Sequence, residues 1–165
     1  LHSMNIVADI GNTRIKWGRV DAGRIAEMAS LPPDDEAAWT NQLARWSTPT
    51  NSVWVIGGVH PPRRACLAGW LRQHGMTVRE IDSYRQLPIA VAVEEPQRVG
   101  LDRLFNAVAA DSVRVGAPAV LVDAGSAVTV DWLDEAGVFR GGARLSPGAK
   151  AQRASNGNRL HWVCR

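Results

Sequence analysis

Two short segments of the chain combine an acid, a glycine and small polar residues in an order that suits phosphate chemistry. The first is Asp9-Ile10-Gly11-Asn12-Thr13-Arg14-Ile15-Lys16, at the end of the apolar run Asn5 to Ile10. The second is Asp123-Ala124-Gly125-Ser126, at the end of Ala119 to Asp123. Gly11 lets backbone N–H groups approach a phosphate with no Cβ in the way, Asn12 and Thr13 add neutral donors, and Lys16 adds positive charge. Asp9 suits Mg²⁺ held through water, because magnesium keeps much of its hydration shell. Gly125 and Ser126 would grip the far end of the same triphosphate. Either segment alone also fits a plain hairpin turn. The second acid follows the first by 114 positions, and each follows an apolar strand. That echo predicts a duplicated architecture with the two turns facing each other across a cleft. The chain contains neither G-x-x-x-x-G-K-[ST] nor G-x-G-x-x-G; Gly148-Ala149-Lys150 has the wrong spacing.

The elements that must carry these turns are legible in the pattern. Asn5 to Ile10, Arg14 to Val20 and Arg24 to Ser30 read as strands, joined at Gly11-Asn12, where positive φ is tolerated, and at Asp21-Ala22-Gly23. Pro32-Pro33-Asp34-Asp35 opens a helix with the face Trp39, Leu43 and Trp46, and acids suit its positive end. Asn51 to Val59 is a strand, and Pro61-Pro62 starts a helix carrying Leu67, Trp70, Leu71 and His74. Thr77 to Ile81 and Ile89 to Val93 are short strands, before a break at Glu94-Glu95-Pro96. A helix then places Leu101, Leu104, Phe105, Val108 and Ser112 on one face. The strands Ala119 to Asp123, Ala127 to Leu133 and Val138 to Leu145 close the pattern, ending at Pro147-Gly148. Hairpins alternating with helices make the class α/β with mixed sheets. Asp131 either lines the cleft or faces solvent, and His60, His74 and His161 read as turn or surface groups without ligand spacing.

Composition bounds the partners. At 45% apolar and 21% charged residues over 165 positions, the chain is globular rather than disordered or collagenous. The longest apolar runs, Pro88 to Val93 and Ala117 to Val122, are too short to cross a bilayer, so no membrane partner is expected. Cys66 and Cys164 have no metal or redox spacing and suit a reducing cytoplasm. The net charge of +3 invites a nucleic-acid reading, but Lys150, Arg153, Arg159 and Arg165 supply it. Residues 1–148 hold fifteen basic against sixteen acidic groups, so the body has no surplus of cations for nucleic acid.

Three segments give the chain a recognisable pattern: D-I-G-N-T-R-I-K at 9–16, P-Q-R-V-G-L-D-R-L-F-N-A-V-A-A at 96–110, and V-D-A-G-S-A-V-T-V-D at 122–131 with G-G-A-R-L-S-P-G at 141–148. In these it resembles the type III pantothenate kinases, of the acetate and sugar kinase, Hsp70 and actin superfamily. The G-x-D-R opening a helix singles out this branch. The resemblance covers residues 4–148. It implies duplicated ribonuclease H-like (actin-like ATPase) halves with an inter-domain cleft: residues 4–95, then an incomplete second half beginning at 96–148, then an atypical basic tail, 149–165. It implies ATP-dependent phosphorylation of the primary hydroxyl of pantothenate, the first step of coenzyme A synthesis, by a cytoplasmic homodimer. Carried over by position, Asp9, Ile10, Gly11, Asn12, Thr13, Arg14, Ile15 and Lys16 form the first ATP loop, with Asp9 nearest the Mg²⁺, and Ser126 touches ATP. Gly100, Leu101, Asp102 and Arg103 hold pantothenate, with Asp102 as proton acceptor, and Asp123 binds K⁺ or NH₄⁺. Asp102 stands in a helix's first turn, where the dipole favours the anion. Phosphoryl transfer through a loose transition state needs little deprotonation, so orienting the hydroxyl is its main expected task. Arg103 offers a planar fork for a substrate carboxylate.

Three departures from the family pattern qualify these expectations. Val93 stands where the family has a substrate-contacting Tyr, and Ser126 replaces a Thr while keeping the hydroxyl. Family members continue well beyond the Pro-Gly turn, whereas Ala149 to Arg165 shows neither clear period nor acids and reads as an out-of-frame or truncated end. A meander without covering helices would expose an apolar sheet face. The expectation is a poorly stable chain that associates through that face, with weak or no kinase activity. A non-catalytic regulatory protein on the same scaffold, as in relatives called Bvg accessory factor, is the alternative. A sugar or acetate kinase is a third option, against which the G-x-D-R helix argues.

Overall fold

Alternating burial along the first strands builds the first layer. The computed structural model describes residues 5–125 and 127–145. In β1 (Asn5–Ile10), Ile6, Ala8 and Ile10 are buried, while Val7 and Asp9 point to the other face. In β2 (Ile15–Asp21), Ile15 and Trp17 join the buried side. With β3 (Arg24–Leu31) these form an antiparallel meander. β4 (Val53–Gly58) pairs parallel to β1, and β5 (Thr77–Glu80) parallel to β4. The result is the expected mixed sheet, in the order β3-β2-β1-β4-β5.

α1 (Glu36–Arg45) begins at Asp35, whose carboxylate accepts the Ala38 N–H at 2.9 Å. α2 (Pro61–Gln73) begins at His60, whose ring nitrogen accepts the Arg63 N–H at 3.3 Å, so His60 is a cap. Trp39 from α1 and Leu67, Ala68 and Leu71 from α2 share one core with Ile6, Ile10, Ile15, Trp17, Trp54 and Ile56. Trp17 and Trp54 meet edge-on with ring centroids 4.8 Å apart. Each fully buried Ile or Leu in this core is worth about 1.5–3 kcal/mol. Ile10 and Ile15 lie within this core, so the ends of β1 and β2 around Asp9 and Lys16 are held firmly.

The strand expected at Ile89 to Val93 does not form. One bridge stands in its place, Val91 with Phe139. Phe139 donates its N–H to Ala90 O at 2.8 Å, and Ala92 donates to Phe139 O at 2.9 Å. Ile89, Val91 and Val93 pack on a second core, so their alternation reflects burial without a ladder.

That second core holds Leu104 and Ala107 of α3 (Leu101–Val113) against Leu133 and Phe139. These last two belong to the antiparallel sheet β6 (Ala119–Ala124), β7 (Val128–Leu133) and β8 (Phe139–Leu145), in the order β6-β7-β8. The single α3 face expected from sequence is corrected in two respects. Ser112 is exposed and turns its hydroxyl to Ala109 O at 2.7 Å. Phe105 leans instead towards the first sheet, where a Cβ on Gly57 would stand 2.5 Å from its ring. α3 therefore joins the two sheets. On the outer side of β6–β8, Val120, Val122, Trp132 and Leu145 are exposed. Ser126, Pro147-Gly148, His161 and the tail 149–165 lie outside the described residues.

Candidate active site

Asp9 is the penultimate residue of β1, paired across the sheet with Lys16 on β2 and Gly57 on β4. It faces away from the tryptophan core and lines a cavity of about 330 Å³ whose other walls include Val7, Gly18, Val55 and Phe105. These apolar walls leave its Oδ1 buried with no hydrogen-bond partner. Burial therefore pushes the Asp9 carboxyl above its ordinary range; Lys16 pulls the other way, and the charges of Asp102 and Asp123 push it further up. A cation beside Asp9 would offset both the burial and the crowding.

The turn after Asp9 departs from expectation in one respect. Positive φ occurs in the next hairpin, at Ala22 and Gly23, and not at Gly11 or Asn12. Gly11 is required for space: its N–H donates to Arg14 O at 3.0 Å, and a Cβ would stand 3.1 Å from that oxygen. Asn12, Thr13, Arg14 and Lys16 are exposed around the turn. Ile10 and Ile15 are fully buried, so their side chains belong to the core.

Two supports of this turn were not singled out from sequence. Arg63 on α2 donates from Nη1 to the Asn12 carbonyl, and from Nε and Nη2 to the Asp34 carboxylate at 3.3 and 2.9 Å. Nothing in the sequence separates Arg63 from its neighbour Arg64. Gly58 has φ +136°, and any Cβ there would collide with the backbone of Ile10. The signal available for it was the Gly57-Gly58 pair ending an apolar strand.

At the start of α3, Gly100 has φ −60° and ψ 137°. The Asp102 Oδ1 accepts the Arg103 N–H at 2.8 Å, and a Cβ on Gly100 would stand 2.5 Å from the same oxygen. Glycine at 100 thus leaves room for the Asp102 carboxylate. Leu101 is half-buried and packs on the second core. Arg103 lies over Phe139, 5.9 Å from the ring centre, and its Nε is 3.0 Å from both oxygens of Asp131, with Nη2 also on Oδ1. Hydrogen bonding to Asp131 raises the Arg103 pKa. Asp131 is only 3% exposed, so it neither faces solvent nor lines an open cleft: it is buried beneath Arg103.

Asp123, near the end of β6, is exposed and accepts a hydrogen bond from Asn106 Nδ2 at 3.3 Å. Gly125 donates its N–H to Ala127 O at 3.0 Å. Phe105 of α3 packs on Gly57, the ladder partner of Asp9, and the next residue, Asn106, holds Asp123. Asp9, Asp102 and Asp123 thus come from three elements gathered around the start of α3, and the last two bear on the charge of the first. Among the described residues, no three His, Cys, Asp or Glu side chains are grouped to ligate one metal directly. The donor set of hard oxygens fits a cation that keeps much of its water.

Comparison with known proteins places the chain among relatives of one family. The sequence profile of the family described as type III pantothenate kinase matches residues 5–156. The type III pantothenate kinase of Rhizorhabdus wittichii is 33% identical over 156 residues, covering 88% of this chain and 59% of that protein. That of Rhodopirellula baltica is 47% identical over 73 residues, covering 44% and 26% respectively. Among solved structures, YeaZ from Pseudomonas aeruginosa aligns with a TM-score of 0.43 at 13% identity, over 92% of this chain and 71% of that one, a likeness too slight to bear on function. The chain spans about three fifths of the length of curated relatives that it matches along most of its own length. With its profile match running from β1 past β8, the chain belongs to the type III pantothenate kinase family.

Proposed function

We propose that the protein catalyses ATP-dependent phosphorylation of pantothenate to 4'-phosphopantothenate, the first step of coenzyme A biosynthesis. Family membership supports the reaction class, and the convergence of Asp9, Asp102 and Asp123 is the observation that carries it to this site. In this reading the turn closed by the Gly11 N–H on Arg14 O presents the backbone N–H groups of Asn12 and Thr13, which with Lys16 and Ser126 hold the phosphates of ATP. Gly100 to Arg103 hold pantothenate, with Arg103 receiving its carboxylate. Asp102 accepts the hydrogen bond of the primary hydroxyl and orients it in line with the γ-phosphate; the loose transition state asks for little more than that. Asp9 would hold Mg²⁺ through water and Asp123 a K⁺ or NH₄⁺ ion, and these cations supply charge neutralisation to the phosphates when bound. Asp9's partnerless buried oxygen supports the first assignment and Asp123's exposed carboxylate the second.

The same reading extends to the assembly. The meanders β1–β3 and β6–β8 are the corresponding starts of two ribonuclease H-like halves, with residues 4–95 in the first and 96–148 opening the second, followed by the tail 149–165. The working form is a homodimer, supported by the exposed Val120, Val122 and Trp132. Its setting is the cytoplasm, supported by the free, exposed Cys66. No observation favours a purely regulatory role. The test is incubation of the protein with ATP, Mg²⁺, K⁺ and pantothenate, followed by detection of phosphopantothenate. Product formation that falls about a hundredfold in Asp102→Asn is the expected result. No product from the wild type, or an unchanged rate in the variant, overturns the reading.

A further inference from the structure

We propose that Asp131 is a positioning residue that decides which edge of Arg103 meets the carboxylate of pantothenate; this inference rests on the reading above. A guanidinium has five N–H donors in a rigid plane, and it can present either its side, Nε with one Nη, or its end, the two Nη groups together. The side of Arg103 is already taken. Its Nε lies 3.0 Å from both Asp131 oxygens, and its Nη2 donates to Oδ1, whereas no described partner occupies Nη1. The plane is further fixed by Phe139 beneath it. What remains for a ligand is the end-on fork, Nη1 and the second hydrogen of Nη2.

The surroundings hold Asp131 in place for this task. It sits on β7 with 3% exposure, where a carboxylate without a cationic partner would be costly. Across the ladder it faces Gly142 on β8, at the edge of a register shift that takes in Gly141 with φ +87°. A Cβ on Gly142 would stand 2.8 Å from Asp131 Oδ1 and collide with Val130 O, so only glycine leaves this space. Gly142, Asp131 and Arg103 therefore form one packed chain from β8 to the first turn of α3, beside Asp102. Through it the G-G pair of the last motif bears on the substrate motif without touching substrate.

The test measures KM for pantothenate, for its neutral analogue with a primary alcohol in place of the carboxylate, and for ATP, in the wild-type chain, Asp131→Asn, Arg103→Lys and Arg103→Lys/Asp131→Asn. The preference for pantothenate over the neutral analogue is a ratio within one preparation, so a partly unfolded variant still reports it. Asp131→Asn should lower that preference about tenfold while leaving the KM for ATP within about twofold. Arg103→Lys, which loses the planar fork, should lower it too, and adding Asp131→Asn to it should change it no further. An unmoved preference in Asp131→Asn, or full additivity in the double variant, overturns the role of Asp131 alone. A wild-type chain that converts no pantothenate overturns the underlying reading and the inference with it.

Discussion

Gly100→Ala tests how tightly the fold holds the Asp102 carboxylate. The new Cβ would stand 2.5 Å from Asp102 Oδ1, whereas ordinary contact begins at 3.4 Å, so the carboxylate must move by about 0.9 Å. The backbone need not move, since φ −60° and ψ 137° suit any residue. Displacing Oδ1 also loosens its 2.8 Å bond from the Arg103 N–H, a net cost of about 1 kcal/mol. Against that, replacing glycine at a compatible backbone angle restricts the unfolded chain, a gain of about 0.4–1 kcal/mol. Stability should therefore change little, with the melting temperature within about 4 °C of wild type. Rate should not be spared: a misplacement near 1 Å at a reacting group costs about a hundredfold. Initial rates of phosphopantothenate formation at saturating ATP and pantothenate, with melting curves on the same samples, read both quantities. A variant with wild-type turnover refutes the placement of Asp102 as the orienting group, and a collapse of the melting transition refutes the claim that the effect is local.

Three further outcomes follow from the same geometry. Because folding raises the Asp9 pKa above its ordinary value of 3.8, its carboxylate costs nothing below that value and most above the raised one, so wild-type stability falls as pH rises through this window. Asp9→Asn should melt higher than wild type at neutral pH, lose that advantage as pH falls towards 3.8, and no longer gain stability from Mg²⁺ with ATP; a lower melting point at neutral pH contradicts this. Arg63→Met removes the bonds to Asn12 O and Asp34 from outside the motifs. Its KM for ATP should rise about tenfold, with the KM for pantothenate unmoved, and equal rises in both would show a general loosening instead. Trp132→Thr removes an exposed aromatic paired with Val120, at a folding cost of about 0.2–1 kcal/mol. Sedimentation should show weaker self-association than wild type, and unchanged association would place the contact on another surface.

Much of this was legible in the chain itself, for definite physical reasons. Burial of alternate residues writes β1, the start of β2 and β7 into the sequence, the exposed strands beside them are marked by their turns, and acids at strand ends beside glycine mark where β1 and β6 stop. The same alternation misled at Ile89 to Val93, since apolar side chains can pack on a core while the backbone forms a single bridge. The hairpin turn expected at Gly11-Asn12 forms for a different reason: Gly11 clears Arg14 O rather than supplying positive φ. Ser112 followed the helical period of α3, yet the helix bends its burial towards two sheets and leaves that hydroxyl outside. Arg63 and Asp131 were not legible as supports, because an ion pair across 29 or 28 positions leaves no local pattern.

All of the chemistry depends on Asp9, Asp102 and Asp123 lining one phosphate site. A crystal structure of the protein with Mn²⁺, a non-hydrolysable ATP analogue and pantothenate examines that arrangement without relying on turnover. The anomalous Mn²⁺ peak should lie about 4 Å from the Asp9 carboxylate, one water away, with the γ-phosphate between the Gly11 turn and the pantothenate hydroxyl on Asp102. A Mn²⁺ peak and triphosphate bound elsewhere, with these three carboxylates facing only solvent, would contradict it.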